Sequence, residues 1–167
     1  VAAAALLTLA PSCGYYHMGS MMPDIGVESI AIAEIKNETK EPLLSAIARN
    51  QIAAAFQTDN SLKLKSREKA DCILYCRIVS INTTSIRYDT NEYNTDSYRP
   101  SEFRVTVTAE FQVVIPGRSK PMIPMRTISG TANYEYNADP QSGRVAGLRQ
   151  ACYDLARLMV QYTTEAW

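Results

Sequence analysis

The chain has 167 residues, and its 17 lysines and arginines are balanced by 17 aspartates and glutamates. Because no stretch is basic enough to follow a phosphate backbone, this balance argues against nucleic acid as a partner. Hydrophobic residues make up 46% of the chain and charged residues 20%, as in ordinary folded domains. We therefore expect a single folded domain, which we place at residues 27–167.

A short apolar run precedes the first cysteine. Residues 1–10 consist of alanine, leucine, valine and one threonine, and Cys13 follows two residues later. The run is shorter than the roughly 18 apolar residues of a membrane-spanning helix, and it fits the apolar region of a secretory signal. We expect residues 1–12 to be a truncated lipoprotein signal peptide, Cys13 to carry lipid, and residues 13–26 to form a tether to the membrane. The alternatives are a truncated apolar helix, or an unmodified thiol in a secreted chain.

Three further cysteines lie within the expected domain. Cys72 and Cys76 are four residues apart in a strand-like run. About 13 Å then separates them, so they cannot form a disulfide with each other. Either could pair with Cys152 in an oxidising compartment, or all three could be buried thiols. The only histidine is His17 and no paired-ligand spacing occurs, so we expect neither a metal site nor a cofactor.

The first half of the domain predicts a strand, a helix and two more strands. Residues 27–35 are rich in β-branched side chains, which predicts the first strand. Pro42 then opens a pattern of helical spacing that continues to Thr58. Residues 62–65 predict a short strand, and residues 70–81 predict a longer one with few polar positions.

The second half predicts a hairpin and a long helix. The polar, tyrosine-rich segment 83–104 predicts an exposed long loop or the extension of a hairpin. Apolar residues fill alternate positions of 105–115, which predicts a half-buried strand, and residues 127–136 return as its antiparallel neighbour. From Val145 to Ala166 apolar residues recur at steps of three and four, which predicts a helix that packs on the sheet rather than in a coiled coil.

The predicted order of elements is β-α-β-β-β-β-α. This order favours an α+β two-layer sandwich, in which a mainly antiparallel sheet of four to five strands carries two helices on one face. No serine elbow, Gly-rich phosphate loop or nucleophile with a neighbouring base is present in the sequence. We therefore expect that the protein is not an enzyme.

Taken in order, several segments resemble the LPS-assembly lipoprotein LptE family. Cys13-Gly14-Tyr15-Tyr16-His17 is similar to the lipidated Cys-Gly-Tyr opening of that family, although Tyr16 is an extra residue. The strand around Ile30-Ala-Ile32 and the turn Asn37-Glu-Thr39, which leads to Glu41-Pro42, are similar to its first strand and Asn-x-Thr turn. Further similarities are Ala70-Asp71 at the start of a strand, Gly130-x-Ala132-x-Tyr134, and a helix that closes on Trp167.

The resemblance implies a periplasm-facing lipoprotein of the outer membrane that acts without catalysis. Such a protein sits as a plug inside an LptD-type β-barrel and helps to place lipopolysaccharide in the outer leaflet. Basic side chains on or beside loops are then candidates for contacting lipid phosphates, and exposed tyrosines for contacting a partner; solvated charges and a mobile loop are the alternatives. The lipid-binding candidates are Arg87, Arg104, Arg118, Lys120 and Arg126, and the partner-contact candidates are Tyr88, Tyr93 and Tyr98.

A regulatory lipoprotein is the alternative from another functional class. Lipoproteins that bind a peptidoglycan synthase, and relatives of the curli secretion component, also combine an Asn-x-Thr strand end, a helix and an Ala-Asp strand. The second half of the chain favours the LptE family, through the strands around Phe111 and Gly130 and the helix that ends at Trp167.

Overall fold

A computed structural model describes residues 26–91, 94–135 and 140–165, with only the backbone described at 89–91, 94–99 and 140. The expected signal peptide, the lipidation residue Cys13 and nearly all of the tether lie outside these ranges. The strands are β1 (Ser29–Ile32), β2 (Lys36–Asn37), β3 (Lys63–Leu64), β4 (Cys72–Asn91), β5 (Asn94–Val114) and β6 (Ile123–Glu135), and the helices are α1 (Leu44–Asp59) and α2 (Pro140–Thr164).

The strands form one mixed sheet in the order β3-β1-β4-β5-β6, and the short β2 pairs with β4. The long hairpin pairs β4–β5 and β5–β6 are antiparallel, whereas β1 runs parallel to both β3 and β4. The parallel pairs follow from α1, because a crossover helix returns the chain in the direction of the strand before it. The predicted α+β class, with two helices against the sheet, is confirmed.

Both helices bury one stripe against the same face of the sheet. In α1 the buried residues recur every fourth position at Leu44, Ala48, Ile52 and Phe56. Asn60 ends this helix in the left-handed conformation, with φ of 57°, and its N–H donates to the carbonyl of Phe56 at 3.0 Å. In α2 the predicted residues Leu148, Cys152, Leu155 and Met159 are buried and belong to the same core as α1 and the sheet.

Helix α2 packs on the sheet and on α1, as the sequence predicted, but its buried stripe is displaced near the C-terminal end. Tyr162, which the three-and-four spacing places on the buried stripe, is 36% exposed. Its ring instead lies 5.0 Å from the guanidinium carbon of Arg126 on the edge strand β6. The buried stripe continues instead through Val160, Thr163 and Thr164, so Tyr162 lies beside it. Ala166, the last residue of the predicted stripe, lies outside the described residues. Neither α1 nor α2, the helices of the described ranges, is long and apolar enough to cross a bilayer.

Segment 83–104 forms the extension of a hairpin rather than a loop. Strands β4 and β5 remain paired as far as Asn91 and Asn94, whereas the pairing of β6 with β5 ends at Glu102 and Glu135. Residues 87–91 and 94–100 therefore form a two-stranded ribbon, called the arm below, whose β4 strand runs about 13 Å past the end of β6 at roughly 3.3 Å per residue. Register shifts lie in β4 at Ile78/Ser80, at the base of the arm, and near its tip at Thr90/Asn91. Such bulges strengthen the local twist.

The three cysteines of the domain, Cys72, Cys76 and Cys152, are free and buried. Burial is the main cause that raises the pKa of each thiol to about 12. At pH 8 such a thiol is ionised to only about one part in 10,000, and the thiolate is the reactive form. All three cysteines are therefore buried thiols, and neither Cys72 nor Cys76 forms a disulfide with Cys152.

We expect iodoacetamide to leave these thiols unlabelled in the native protein. In a Cys13→Ser variant at pH 8, intact mass should show no added group before unfolding and three after unfolding in guanidinium. A label on Cys76 or Cys152 under native conditions would contradict the buried positions of these two residues.

Candidate functional surfaces

The sheet has a second face that neither helix covers. Along β5, residues 105, 107, 109, 111 and 113 are fully buried, so the alternate residues point to the opposite face. Pairing extends that face, called the open face below, across the neighbouring strands. Its side chains include Ser80, Asn82 and Thr84 from β4, Thr106, Thr108, Glu110 and Gln112 from β5, and Thr127, Ser129 and Thr131 from β6.

Hydroxyl groups and one charged cluster dominate the open face. The Thr108 and Ser129 hydroxyls lie 2.9 Å apart across the β5–β6 pair. Arg77 contacts both the Glu110 carboxylate and, at 3.2 Å, that of Glu38, and the bond to Glu110 is the main cause that raises the pKa of Arg77. Sequence reasoning did not identify this surface. The alternating Thr and Glu of β5 were the available signal, but they were interpreted only as the solvated side of a strand.

The five basic candidates separate into two groups at opposite ends of the sheet. Arg87 and Arg104 lie at the base of the arm, because Arg87 pairs with Glu102 and Arg104 with Thr84. The other three lie in or near the β5–β6 turn, which joins Val114 to Ile123 at the far end of the same strands. The five residues therefore cannot form one phosphate-binding site.

At the arm end, both arginines already have partners. Arg87 Nη2 lies 3.2 Å from Glu102 Oε2, and the arginine side chain is 64% exposed. Arg104 Nε donates to Asn133 Oδ1 at 3.0 Å. Exposed pairs of this kind contribute at most about 1 kcal/mol, so an incoming phosphate can compete for both guanidinium groups.

At the turn end, Arg126 and its two neighbours differ in their surroundings. Arg126 lies over the Tyr162 ring and, with Gln161 and Glu165, lines a shallow depression. Arg118 and Lys120 are exposed in the turn itself. Among the ion pairs of the described residues, none includes either of these two cations.

The partner-contact tyrosines are only partly described. Tyr88 is 55% exposed at the base of the arm, and Ile86 nearby is 38% exposed. The backbone of Tyr98 pairs with Thr90 within the arm, but its side chain is not described. Tyr93 lies outside the described residues. The arm therefore presents at least one exposed aromatic side chain, and the role of all three tyrosines stays a prediction.

The sequence matches the family model described as LptE, lipopolysaccharide-assembly, over residues 27–163. The chain belongs to the LptE family. This confirms the resemblance found in the sequence and places the protein in the cell envelope, among lipopolysaccharide-assembly proteins. The LptE family is non-catalytic, which supports the prediction that the protein is not an enzyme. No curated protein matches the sequence.

Solved structures with similar folds share little sequence with this LptE-family chain. A minor lipoprotein from Acinetobacter baumannii has a TM-score of 0.51 at 12% identity, covering 83% of this chain and 93% of its own. A Xanthomonas campestris protein has a TM-score of 0.55 at 12% identity, with coverages of 82% and 84%. A hypothetical protein from Chlamydia trachomatis has a TM-score of 0.54 at 12% identity, with coverages of 84% and 99%. Identity this low shows a shared fold alone.

The Asn-x-Thr motif of the LptE family has a structural role in this chain. Asn37 Oδ1 accepts hydrogen bonds from the N–H of Thr39 at 3.0 Å and its hydroxyl at 2.8 Å, and Asn37 Nδ2 donates to the carbonyl of Glu41 at 2.7 Å. This turn holds Glu41 where its carboxylate pairs with Arg144 at 3.1 Å. Arg144 also donates to the Thr83 hydroxyl at 3.4 Å. The motif therefore joins the start of α2 to the sheet.

The Ala-Asp motif that opens β4 is structural as well. Ser29 donates its hydroxyl hydrogen to Asp71 Oδ2 at 2.6 Å, and the N–H of Glu28 donates to the same oxygen at 3.2 Å. The Ser29 bond is the main cause that lowers the pKa of the Asp71 carboxyl. The motif fixes the start of β1 beside the start of β4.

Proposed function

We propose that this LptE-family protein is the accessory subunit and plug of an LptD-type β-barrel in the outer membrane. In that position it assists the placement of lipopolysaccharide in the outer leaflet, while lipid on Cys13 holds it at the periplasmic side. The observation that carries the proposal is the family match, which spans almost the whole of the described domain.

The open face suits a partner with a polar wall. The lumen of a large outer-membrane barrel is lined by polar side chains, because only its outer surface contacts lipid. The hydroxyls of Thr108, Ser129 and Thr131 can each donate and accept hydrogen bonds to such a wall. An apolar sheet face could not form such hydrogen bonds. The polar composition of the open face therefore supports the plug role.

Arg87 and Arg104 are the lipid-binding candidates that this role favours. They lie about two residues apart along the same face, at the base of the arm and beside the exposed Tyr88. A diphosphorylated lipid headgroup could displace Glu102 and Asn133 from the two guanidinium groups. Arg126 is a weaker candidate, because its guanidinium group is already placed over Tyr162.

Depletion of the protein from growing cells tests the proposed function. Newly made lipopolysaccharide at the cell surface should fall as the protein disappears, whereas cross-linking of peptidoglycan should stay at its normal level in the same cells. The reverse pattern would support a regulatory lipoprotein that acts on a peptidoglycan synthase. Re-expression of the wild-type chain is the control for both measurements.

Shortening the arm is expected to weaken capture of the barrel. A variant in which residues 89–99 are replaced by Asn-Gly keeps Tyr88 opposite Pro100 and so keeps the pairing of β4 and β5 below the arm, since Asn-Gly favours a two-residue hairpin turn. If Tyr93 and Tyr98, which this variant removes, contribute contacts of the size found at interface hot spots, recovery of the barrel should fall about tenfold or more. Arg149→Ala, at an exposed position of α2 away from both the arm and the open face, is the control. Undiminished recovery with the shortened arm would assign the arm no part in the contact.

A further inference from the structure

The chain enters the domain at one defined end of the sheet. Gly26 is the first described residue, and the Ser29–Asp71 bond described above fixes the strand that follows. The carbonyl of Glu28 accepts a hydrogen bond from the N–H of Lys63 at 3.0 Å, which holds this segment against β3 as well. The residues before Gly26 therefore leave the domain where β1, β3 and β4 begin.

The β5–β6 turn lies at this same end. Ile73, the second residue of β4, pairs with Val114 at the end of β5, and Val113 pairs with Ile123 at the start of β6. The turn is locally ordered, because the N–H of Arg118 donates to the carbonyl of Ile115 at 3.1 Å and Gly117 takes a φ of 83°. It surrounds a shallow depression of about 490 Å³, lined by Ile115, Gly117, Arg118, Ser119, Lys120, Pro121 and Met122.

This turn is the centre of a purely basic stretch. No aspartate or glutamate occurs between Glu110 and Glu135, whereas Arg118, Lys120 and Arg126 all lie in that interval. Of the acidic residues at this end of the domain, Glu28, Asp59 and Glu68 belong to the segments around β1, β3 and α1 on the other side of the sheet, whereas Glu165 of α2 lies near Arg126. The positive charge on the side formed by β5 and β6 is therefore concentrated at Arg118 and Lys120.

The opposite end of the molecule does not have such an excess of positive charge. Residues 87–104, which include the arm and its base, contain four acidic and three basic residues. An anionic lipid surface would therefore attract the turn more strongly than the arm. The long axis of the hairpin would then stand away from such a surface, with the chain leaving the domain on the membrane side.

We propose that the β5–β6 turn docks the domain on an anionic phospholipid surface through Arg118 and Lys120. The docked turn holds the tethered end of the domain against the bilayer and directs the arm away from it. This role is separate from the proposed barrel partnership, because it requires only the membrane. It also gives Arg118 and Lys120 a different ligand from the lipopolysaccharide phosphates assigned to the arm end.

Vesicle binding of the full chain without its lipid tests this inference. A Cys13→Ser variant removes the acyl anchor, so any binding must come from the protein surface. At low salt, binding to vesicles of phosphatidylethanolamine and phosphatidylglycerol should exceed binding to phosphatidylcholine vesicles, and added salt should abolish the difference. Each cation near an anionic surface contributes about fivefold to the partition coefficient.

Reversing both charges, with Arg118→Glu and Lys120→Glu, should reduce binding about 25-fold or more, to the level of phosphatidylcholine vesicles. Lys40→Glu with Arg149→Glu changes the net charge equally at exposed sites elsewhere and should lower binding by less than about threefold. An equal loss in both double variants would overturn the proposal, as would unchanged binding after reversal of the turn. Binding of the wild-type surface to lipopolysaccharide micelles but not to phosphatidylglycerol vesicles would overturn it too.

Discussion

Replacement of Gly130 by alanine is expected to lower the free energy of unfolding by about 3 kcal/mol or more, the upper range for overpacked sites. An added Cβ at this position would lie 2.5 Å from the backbone nitrogen of Leu155 and 2.7 Å from its Cβ, and would also collide with the carbonyl oxygen of Ala151. Backbone atoms of a helix cannot move as a flexible side chain can. Helix α2 would therefore have to withdraw from β6.

Thermal unfolding followed by circular dichroism measures this effect. A loss of 3 kcal/mol should lower the melting temperature of a domain of this size by about 10 °C. Ser129→Ala, one position earlier on the open face, removes only a hydroxyl contact with Thr108 and should cost less than about 1 kcal/mol. If Gly130→Ala melted with the wild-type protein, the close approach of strand and helix would be wrong.

Replacement of Phe111 by alanine is expected to cost about 3–5 kcal/mol, the range for truncating a large aromatic side chain in a closed core. Phe111 is fully buried near the C-terminal end of β5 and is among the largest of the buried side chains. It belongs to the single cluster that includes residues of both helices and the sheet. The cavity left by its ring would remove contacts from both layers at once.

Denaturant unfolding of Phe111→Ala and of Gln112→Ala compares the free energy of unfolding contributed by the buried face and the open face of β5. Gln112 is the adjacent residue and points to the open face, so its truncation should change the free energy of unfolding by less than about 0.5 kcal/mol. Equal losses in the two variants would mean that the open face is covered in the isolated protein, contrary to the two-layer arrangement.

The parts of the fold that the sequence predicted best are those in which local periodicity and burial coincide. The alternation of apolar residues from Val105 to Val113 matched the buried positions of β5 without exception. The buried residues of α2 from Leu148 to Met159 followed equally well from their spacing. Tyr162 did not, because the buried stripe continues through Thr163 and Thr164, and a pattern of apolar residues does not reveal buried threonines whose hydroxyls bond to their own helix.

Features that depend on pairing between distant segments were harder to predict from the sequence. The polar composition of segment 83–104 agrees with a loop as well as with a strand, since a ribbon exposed on both faces has no buried period to reveal it. The parallel pairing of β1 with β4 joins residues 42 positions apart, as in Ile30 opposite Cys72 and in the Ser29–Asp71 hydrogen bond. No local pattern indicates such a contact.

The grouping of the five basic candidate residues shows the same limit of prediction from sequence more clearly. Basic residues were grouped because each lies on or beside a predicted loop, and the sequence does not say which loops share an end of the sheet. The register of β4, β5 and β6 places Arg87 and Arg104 at one end and Arg118 and Lys120 at the other. Residue type therefore identified the candidates, and topology decided which of them can act together.

Affinity purification of the tagged full-length lipoprotein from detergent-solubilised membranes tests the central claim most directly. After a stringent wash, mass spectrometry should find an outer-membrane β-barrel protein in stoichiometric amount with the wild-type chain. Recovery of a peptidoglycan synthase in its place, or of the lipoprotein alone, would contradict the plug role and give precedence to the regulatory one.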